Sequence, residues 1–404
     1  MKLNYRKVRT LIKLLIFNFL FINLSSNAQV LKTILKLPDT GQNTSYTTTF
    51  GEDNDYNINT PYYVNLGNGT ILDTITGLMW QQGDSGELTF ENAKIYIDTL
   101  KLGGYSDWRL PNTYESFSIL NHQNANPAVN TTFFTKTGAE YWWTSNLQFN
   151  DTSKVWVTNA GGGIGNHRKS EALSAGGTKK IHARAVRNTK NVQLISSRFH
   201  DNLNGTITDS LFGLIWQKSP NQSMLGWEDA LINAEQLSLA NETDWRLPNI
   251  KELQSLADVS IGNPCINTNF FEINSVNKYW SSTSLPNQPT KSWYLDTQFG
   301  ITTYDLKTAK LSVLCVRGPI SNLTKSDELI SQNILIFPNP SNGELNIKSE
   351  KQIDLIQIYD ILGNQIFIAR NFNQQQPIFI NQNGSYIIQL NIEQKLYSKK
   401  IQIF

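Results

Sequence analysis

Six consecutive residues occur twice in this chain. Asp107-Trp108-Arg109-Leu110-Pro111-Asn112 returns unchanged as Asp244-Trp245-Arg246-Leu247-Pro248-Asn249, 137 residues later. A match of this length at a near-constant offset marks an internal duplication. Gly77-Leu78-Met79-Trp80-Gln81 returns as Gly213-Leu214-Ile215-Trp216-Gln217 at an offset of 136. Phe90, Pro127, Phe134, Trp143 and Trp156 meet Trp227, Pro264, Phe271, Trp280 and Trp293 at 137. Where Val186-Arg187 meets Val316-Arg317 the offset has fallen to 130, so the first copy carries seven extra residues in its last loop. Two tandem domains of one plan are predicted.

Each copy opens on Asn-Gly (Asn68-Gly69, Asn204-Gly205), a type I′ turn dipeptide between short β-rich runs, which predicts a hairpin. Phe90, Ala93, Ile97 and Leu100, and likewise Trp227, Ala230, Leu231, Ala234 and Leu237, recur at helical spacing. Within the hexapeptide, Pro111 and Pro248 hold the preceding Leu extended. Asn112 with Glu115, and Asn249 with Glu252, have the spacing of a capping box and predict a second helix. Trp108 and Trp245 are large enough to anchor a core. Asp107, Arg109, Asp244 and Arg246 are read as a structural motif, pairing with each other or tying loops to backbone. Strand signals follow from Tyr141 and Tyr279 onwards, which makes each copy a small α+β domain.

At 404 residues the chain has room for two or three domains. Its net charge of +2 provides no field for nucleic acid. Lys2, Arg6, Lys7, Arg9 and Lys13 precede an apolar run from Leu14 to Leu24 and then Ser26-Asn27-Ala28, the layout of a cleaved export signal. No other stretch is long and apolar enough to span a bilayer. The expected divisions are a signal peptide (1–28), a polar lead-in (29–61), repeat 1 (62–188), repeat 2 (189–318), a polar linker (319–333) and a compact all-β sandwich of short strands (334–404).

Both cysteines, Cys265 and Cys315, fall in repeat 2, and their counterparts Ala128 and Ala185 lack sulfur together. In an exported chain this predicts a disulfide, the alternative being two independent buried thiols. Asp53-x-Asp55-x-Asn57 starts like a calcium loop, but Ile58 and Val64 stand where an EF-hand needs Gly and Glu. A looser calcium site and a solvated acidic turn both remain; no cofactor is otherwise called for. His122, His167, His182 and His200 are scattered without zinc spacing, and no nucleophile elbow or phosphate loop occurs. The extra loop of repeat 1 is basic, with Arg168, Lys169, Lys179, Lys180, Arg184 and Arg187 against Glu171, beside His167 and His182. It suits sulfate or carboxylate groups, the alternative being a solvated charged loop. Trp142 and Trp156 are candidate stacking platforms for sugar rings, the alternative being a place in the core.

The ordered set Gly-Leu-Met-Trp-Gln, Asp-Trp-Arg-Leu-Pro-Asn, Tyr279-Trp280-Ser281-Ser282 and Val316-Arg317-Gly318 resembles the C-terminal domain family of the Legionella collagen-like adhesin. The resemblance implies a C-type-lectin-like fold and, for the adhesin, binding of sulfated glycans. Repeat 1 departs from the pattern at Trp142-Trp143-Thr144. Residues 334–404, with Pro338-Asn339-Pro340, Gly343, Ile358-Tyr359-Asp360, Gly363, Gly384-Ser385-Tyr386 and Lys399-Lys400-Ile401, resemble the type IX secretion sorting domain. That resemblance implies export by the type IX machinery, release or surface attachment, and a Bacteroidetes-type source. The reading is therefore a secreted or surface-anchored, non-enzymatic binding protein, a glycan-binding adhesin. A structural or protein–protein module of the cell surface and a polysaccharide-acting enzyme are the alternatives.

Overall fold

The computed structural model describes residues 30–56, 58–172, 181–273, 275–318, 335–338, 341–349, 351–360, 365–373, 376–392 and 395–404. The export signal, Asn57, Lys179, Lys180, the linker at 319–333, Asn339-Pro340 and Gly363 lie outside these. The chain separates into two units, residues 1–320 and 321–404.

Among the described residues the first unit is β-rich, with four short α-helices and one 3-10 turn (Asp53–Asp55). Repeat 1 runs through β2 (Tyr63–Asn65), β3 (Thr70–Asp73), β4 (Leu78–Gln81), helices α1 (Phe90–Asp98) and α2 (Thr113–Ser118), then β5 (Tyr141–Gln148), β6 (Asp151–Asn159), β7 (Ile164–Arg168), β8 (Ile181–His182) and β9 (Val186–Asn188). Repeat 2 follows the same plan through β11 (Phe199–Asp201), β12 (Thr206–Asp209), β13 (Leu214–Gln217), α3 (Trp227–Glu235), α4 (Ile250–Ser255), β14 (Lys278–Ser284), β15 (Lys291–Asp296), β16 (Ile301–Leu306) and β17 (Val316–Arg317). Two further strands, β1 (Val30–Lys32) and β10 (Gln193–Ile195), pair with each other.

Local chemistry explains these elements. Both capping boxes form: Asn112 Oδ1 accepts from the Glu115 amide and Glu115 accepts from the Asn112 amide, with the same exchange between Asn249 and Glu252. The Asn-Gly hairpins form at the expected places, but with three-residue loops. Leu66 N donates to Thr70 O and Asn202 N to Thr206 O, so each ladder closes one residue outside a two-residue turn. Gly69 and Gly205 take the left-handed conformation that ends such a loop.

Each repeat keeps its first three strands and last strand in a private sheet, β2-β3-β4-β9 or β11-β12-β13-β17. The remaining long strands merge across the repeats into one seven-stranded sheet, β14-β15-β16-β7-β6-β5-β8. The core is divided the same way. Phe90, Ala93, Trp108 and Trp143 form a cluster private to repeat 1, and Trp227, Ala230, Trp245 and Trp280 one private to repeat 2. A third cluster, containing Trp80, Trp156, Trp216 and Trp293, runs through both.

The expected disulfide does not form; both cysteines are free and buried. Cys265 belongs to the shared core and Cys315 to the private core of repeat 2, so their side chains serve different clusters. Their counterparts Ala128 and Ala185 are fully buried too, Ala185 in the private core of repeat 1, so each cysteine acts as a small apolar filler.

The polar lead-in is a structural strap. Asp53 is buried and accepts from the hydroxyls of Thr40 (2.8 Å) and Thr283. Glu52, also buried, accepts from Ser284 Oγ at 2.7 Å. Tyr56 donates to Glu235 at 2.7 Å, and Gln42 Nε2 donates to Ser284 O. Lys251 Nζ donates at 2.7 Å both to Asp39 O of the strap and to Ser118 O of repeat 1. The solvated acidic turn is thereby corrected: hydroxyls of repeat 2 supply the donors that allow these carboxylates to be buried.

The second unit packs a three-stranded sheet of β18 (Leu335–Phe337), β19 (Glu344–Lys348) and β22 (Ile378–Phe379) with a four-stranded sheet of β20 (Ile353–Asp360), β21 (Gln365–Phe372), β23 (Gly384–Ile392) and β24 (Lys395–Ile403). Ile347, Ile356, Ile358, Ile388 and Leu390 are among its core side chains.

Candidate functional site

The repeated hexapeptide lies at the centre of each fold. Trp108 and Trp245 are buried, and their indole N–H groups donate to Leu102 O and Leu239 O, each at 3.2 Å. Within the motif, Asp and Arg do not pair with each other. Arg109 makes a two-pronged bond to Glu115 (2.7 and 2.7 Å), and Asp107 takes one from Arg187 (2.7 and 3.0 Å). In repeat 2, Arg246 grips Glu252 at 2.6 and 2.6 Å, and Asp244 pairs with Arg317. The motif thus ties the helix cap and the closing strand to one turn. The four side chains are held by protein partners.

Among the described residues of the basic loop of repeat 1, the cations Arg168, Lys169, Arg184 and Arg187 do not gather into one surface patch. Arg168 is exposed at the end of β7, and Lys169 is half-buried with its ammonium over the Phe90 ring. Arg184 is buried, bonded to Gln82 O at 2.6 Å and 3.6 Å from Asp84, and burial pushes its guanidinium down to about 10. His182 Nδ1 lies 2.8 Å from the other Asp84 oxygen. His167 pairs with Glu171, and Arg187 with Asp107. The stacking platforms are corrected too. Trp142 and Trp156 are only 6% and 1% exposed, because β5 and β6 are covered on both faces there, by the private core of repeat 1 on one and the shared core on the other. Trp142 spends its N–H on Asp84.

An open cleft of about 480 Å³ lies instead where the repeats meet. One wall is the β6–β7 turn, through Asn159, Ala160, Gly161 and Gly163; the other is β16 with the β14–β15 turn. Asn159 Oδ1 accepts from the amides of Gly161 and Gly163, which folds the turn back on itself. Glycine is needed here for close approach. A Cβ on Gly163 would stand 2.9 Å from Thr302 O, and one on Gly162 3.1 Å from the Trp293 ring. The lining is polar, with the side chains of Asn126, Glu140, Asn287, Gln288 and Thr303. Tyr304, 39% exposed, is its outward ring and stands edge-on to Trp293 at 5.5 Å. Among the described residues, no group of three or more His, Cys, Asp and Glu is placed to hold a metal ion, and no helix is long and apolar enough to cross a membrane.

The model of the Lcl C-terminal domain matches residues 69–187 and again 205–317, more than half of the chain. The chain belongs to the Lcl C-terminal domain family. The model of the secretion system C-terminal sorting domain matches residues 335–404. A chain with two Lcl domains and this tail is secreted or attached to the outer-membrane surface, and the tail is what the type IX machinery recognises. No curated protein is similar enough to the chain to count as a relative.

The cleft between the Lcl domains escaped a reading by motif, since amides and glycines carry no spacing signature. Its signal lay in the comparison of the copies. Gly161-Gly162 of the first stands where the second has Gln298-Phe299, at the same offset of 137.

Proposed function

We propose that this protein is a surface adhesin that binds glycans without turning them over, on two C-type-lectin-like domains. The observation that carries the reading is the cleft between the repeats. Saccharides present hydroxyls that both donate and accept, and side-chain amides answer both. Their C–H faces suit an aromatic ring at the rim, the position of Tyr304. Few convergent polar groups in a concave site are what small-ligand binding requires. Glu140 is the one carboxylate among the lining residues, whereas glycoside hydrolysis ordinarily uses two.

The test is binding of the purified full chain to an array of sulfated, acidic and uncharged glycans, with and without calcium. Retention of at least one class, with no change in the chain length of the bound saccharide, is the expected result. No retention under any condition would reject the reading in favour of a protein partner, and shortening of the saccharide would make the protein an enzyme.

A further inference from the structure

The two repeats are related by an approximate twofold axis. Strands β7 and β16 occupy equivalent positions and run antiparallel, and the equivalent helices α2 and α4 pack against each other. Such an axis generates every feature of the junction twice, so the cleft has an equivalent on the other side. There the residues are larger. Phe299 replaces Gly162, Gly262 replaces Ala125, and Phe149 stands where the open side has Pro286. Phe149 lies against Gly262, where a Cβ would meet its ring, and that ring packs on Phe299 with centroids 6.2 Å apart. One side of the axis carries a pair of packed phenylalanines, and the other is lined by Gly161 and Gly163.

The lining of the open side also selects its ligand. It contains amides, hydroxyls and one carboxylate, and no Lys or Arg. The nearby Lys291 holds its ammonium over the Tyr304 ring, 5.0 Å from the centroid. Arg168, exposed and basic, sits at the far end of β7 from Ile164, about 13 Å along an extended strand. A sulfated chain in the cleft would place sulfates against Glu140; the adjoining hollow that shares Asn126, Glu140 and Ala160 adds Lys136, a single ammonium with no fork, and Arg184, whose guanidinium is buried against Gln82 O and Asp84.

We infer that the open cleft at the repeat junction is a single binding site for an uncharged saccharide, recognised by Asn126, Asn159, Asn287, Gln288 and Tyr304. The inference rests on the glycan-binding reading above and narrows it to one site per chain and one ligand class. Asn159 has its Oδ1 committed to the turn, which fixes the side-chain amide in place beside the cleft.

The experiment is titration calorimetry of the full chain with cellotetraose, mannotetraose and N-acetylchitotetraose, against a heparin tetrasaccharide. At least one uncharged probe is expected to bind at one site per chain. Its affinity should hold within twofold between about 50 and about 500 mM salt, since no ligand charge is there to be screened. Tyr304→Ala and the double change Asn287→Ala with Gln288→Ala, all at exposed positions, should weaken it at least tenfold with an unchanged Tm, while Arg168→Ala with Lys169→Ala leaves it unaltered. Binding of heparin alone, lost with Arg168 and Lys169, would overturn the inference and keep the glycan reading. Uncharged binding that ignores the cleft substitutions, or two sites per chain, would overturn the assignment of the site. Binding of no probe would overturn the inference, and the array decides the broader reading separately.

Discussion

Ile164 of the first repeat lies opposite Thr302 of the second in one antiparallel ladder, and the Ile164 amide donates to the Thr302 hydroxyl at 3.1 Å. This rung joins the long strands of both repeats into one sheet, beneath a core that both share. The duplicated part of the chain is therefore one body, with two private cores and one common core among its described residues.

Equivalent ion pairs in the two repeats differ in their surroundings, and their worth should differ accordingly. Arg246 and Glu252 are both buried, whereas Arg109 is 36% exposed beside a buried Glu115. Arg246→Ala strands a carboxylate without water and should cost about 3–5 kcal/mol. Arg109→Ala should cost about 2 kcal/mol, because solvent reaches the vacated place. Urea denaturation of both variants checks the order; equal losses would contradict it.

Lys251 connects the strap, repeat 1 and repeat 2 through two carbonyls. Lys251→Met keeps the volume but leaves both acceptors bare beside Asp39. A loss of about 3 kcal/mol is expected, with faster proteolysis of residues 30–61 as the local readout. A stable strap in that variant would show that the hydroxyl bonds to Asp53 and Glu52 suffice.

His122 predicts a pH dependence. Burial, with Lys251 nearby, lowers its imidazole from 6.5 to about 3, and its Nδ1 has no partner. Phe117 and Trp293 flank the ring, each 5.5 Å away between centroids. The folded state thus keeps it neutral where the unfolded chain takes up a proton. Its contribution is complete above pH 6.5 and is lost as pH falls towards 3, at up to about 1.4 kcal/mol per unit. His122→Gln should flatten the acid limb of stability against pH over that window, measured by thermal melts.

The cysteines give a covalent test. Denatured without reductant, the chain should take up two equivalents of a thiol reagent. The native protein should react far more slowly, because both thiols are buried and burial pushes each up to about 12. Uptake of none on denaturation would restore the disulfide.

The strongest local signals were legible. The capping boxes at Asn112 and Asn249, the helices begun by Phe90 and Trp227, and the hairpins at Asn68 and Asn204 all depend on interactions a few residues apart. Charge and ring type misled where burial decided. Arg184 reads as a loop cation and Trp156 as a surface platform, yet both lie inside: Trp156 because β6 is covered on both faces, and Arg184 because Asp84 and the Gln82 carbonyl partner it there.

The duplication itself, written in two identical hexapeptides, determined that one plan would be built twice, with the same caps, the same tryptophan anchors and the same closing strand. It left open whether the copies would stand apart. The tertiary structure decided that, by pairing β7 with β16 and laying the strap across both. It also decided which side of the axis stays open. Gly162 and Phe299 have the same address in their repeats, but a void or a plug exists only once the other repeat, with Trp293 on one side and Phe149 on the other, has been packed against it.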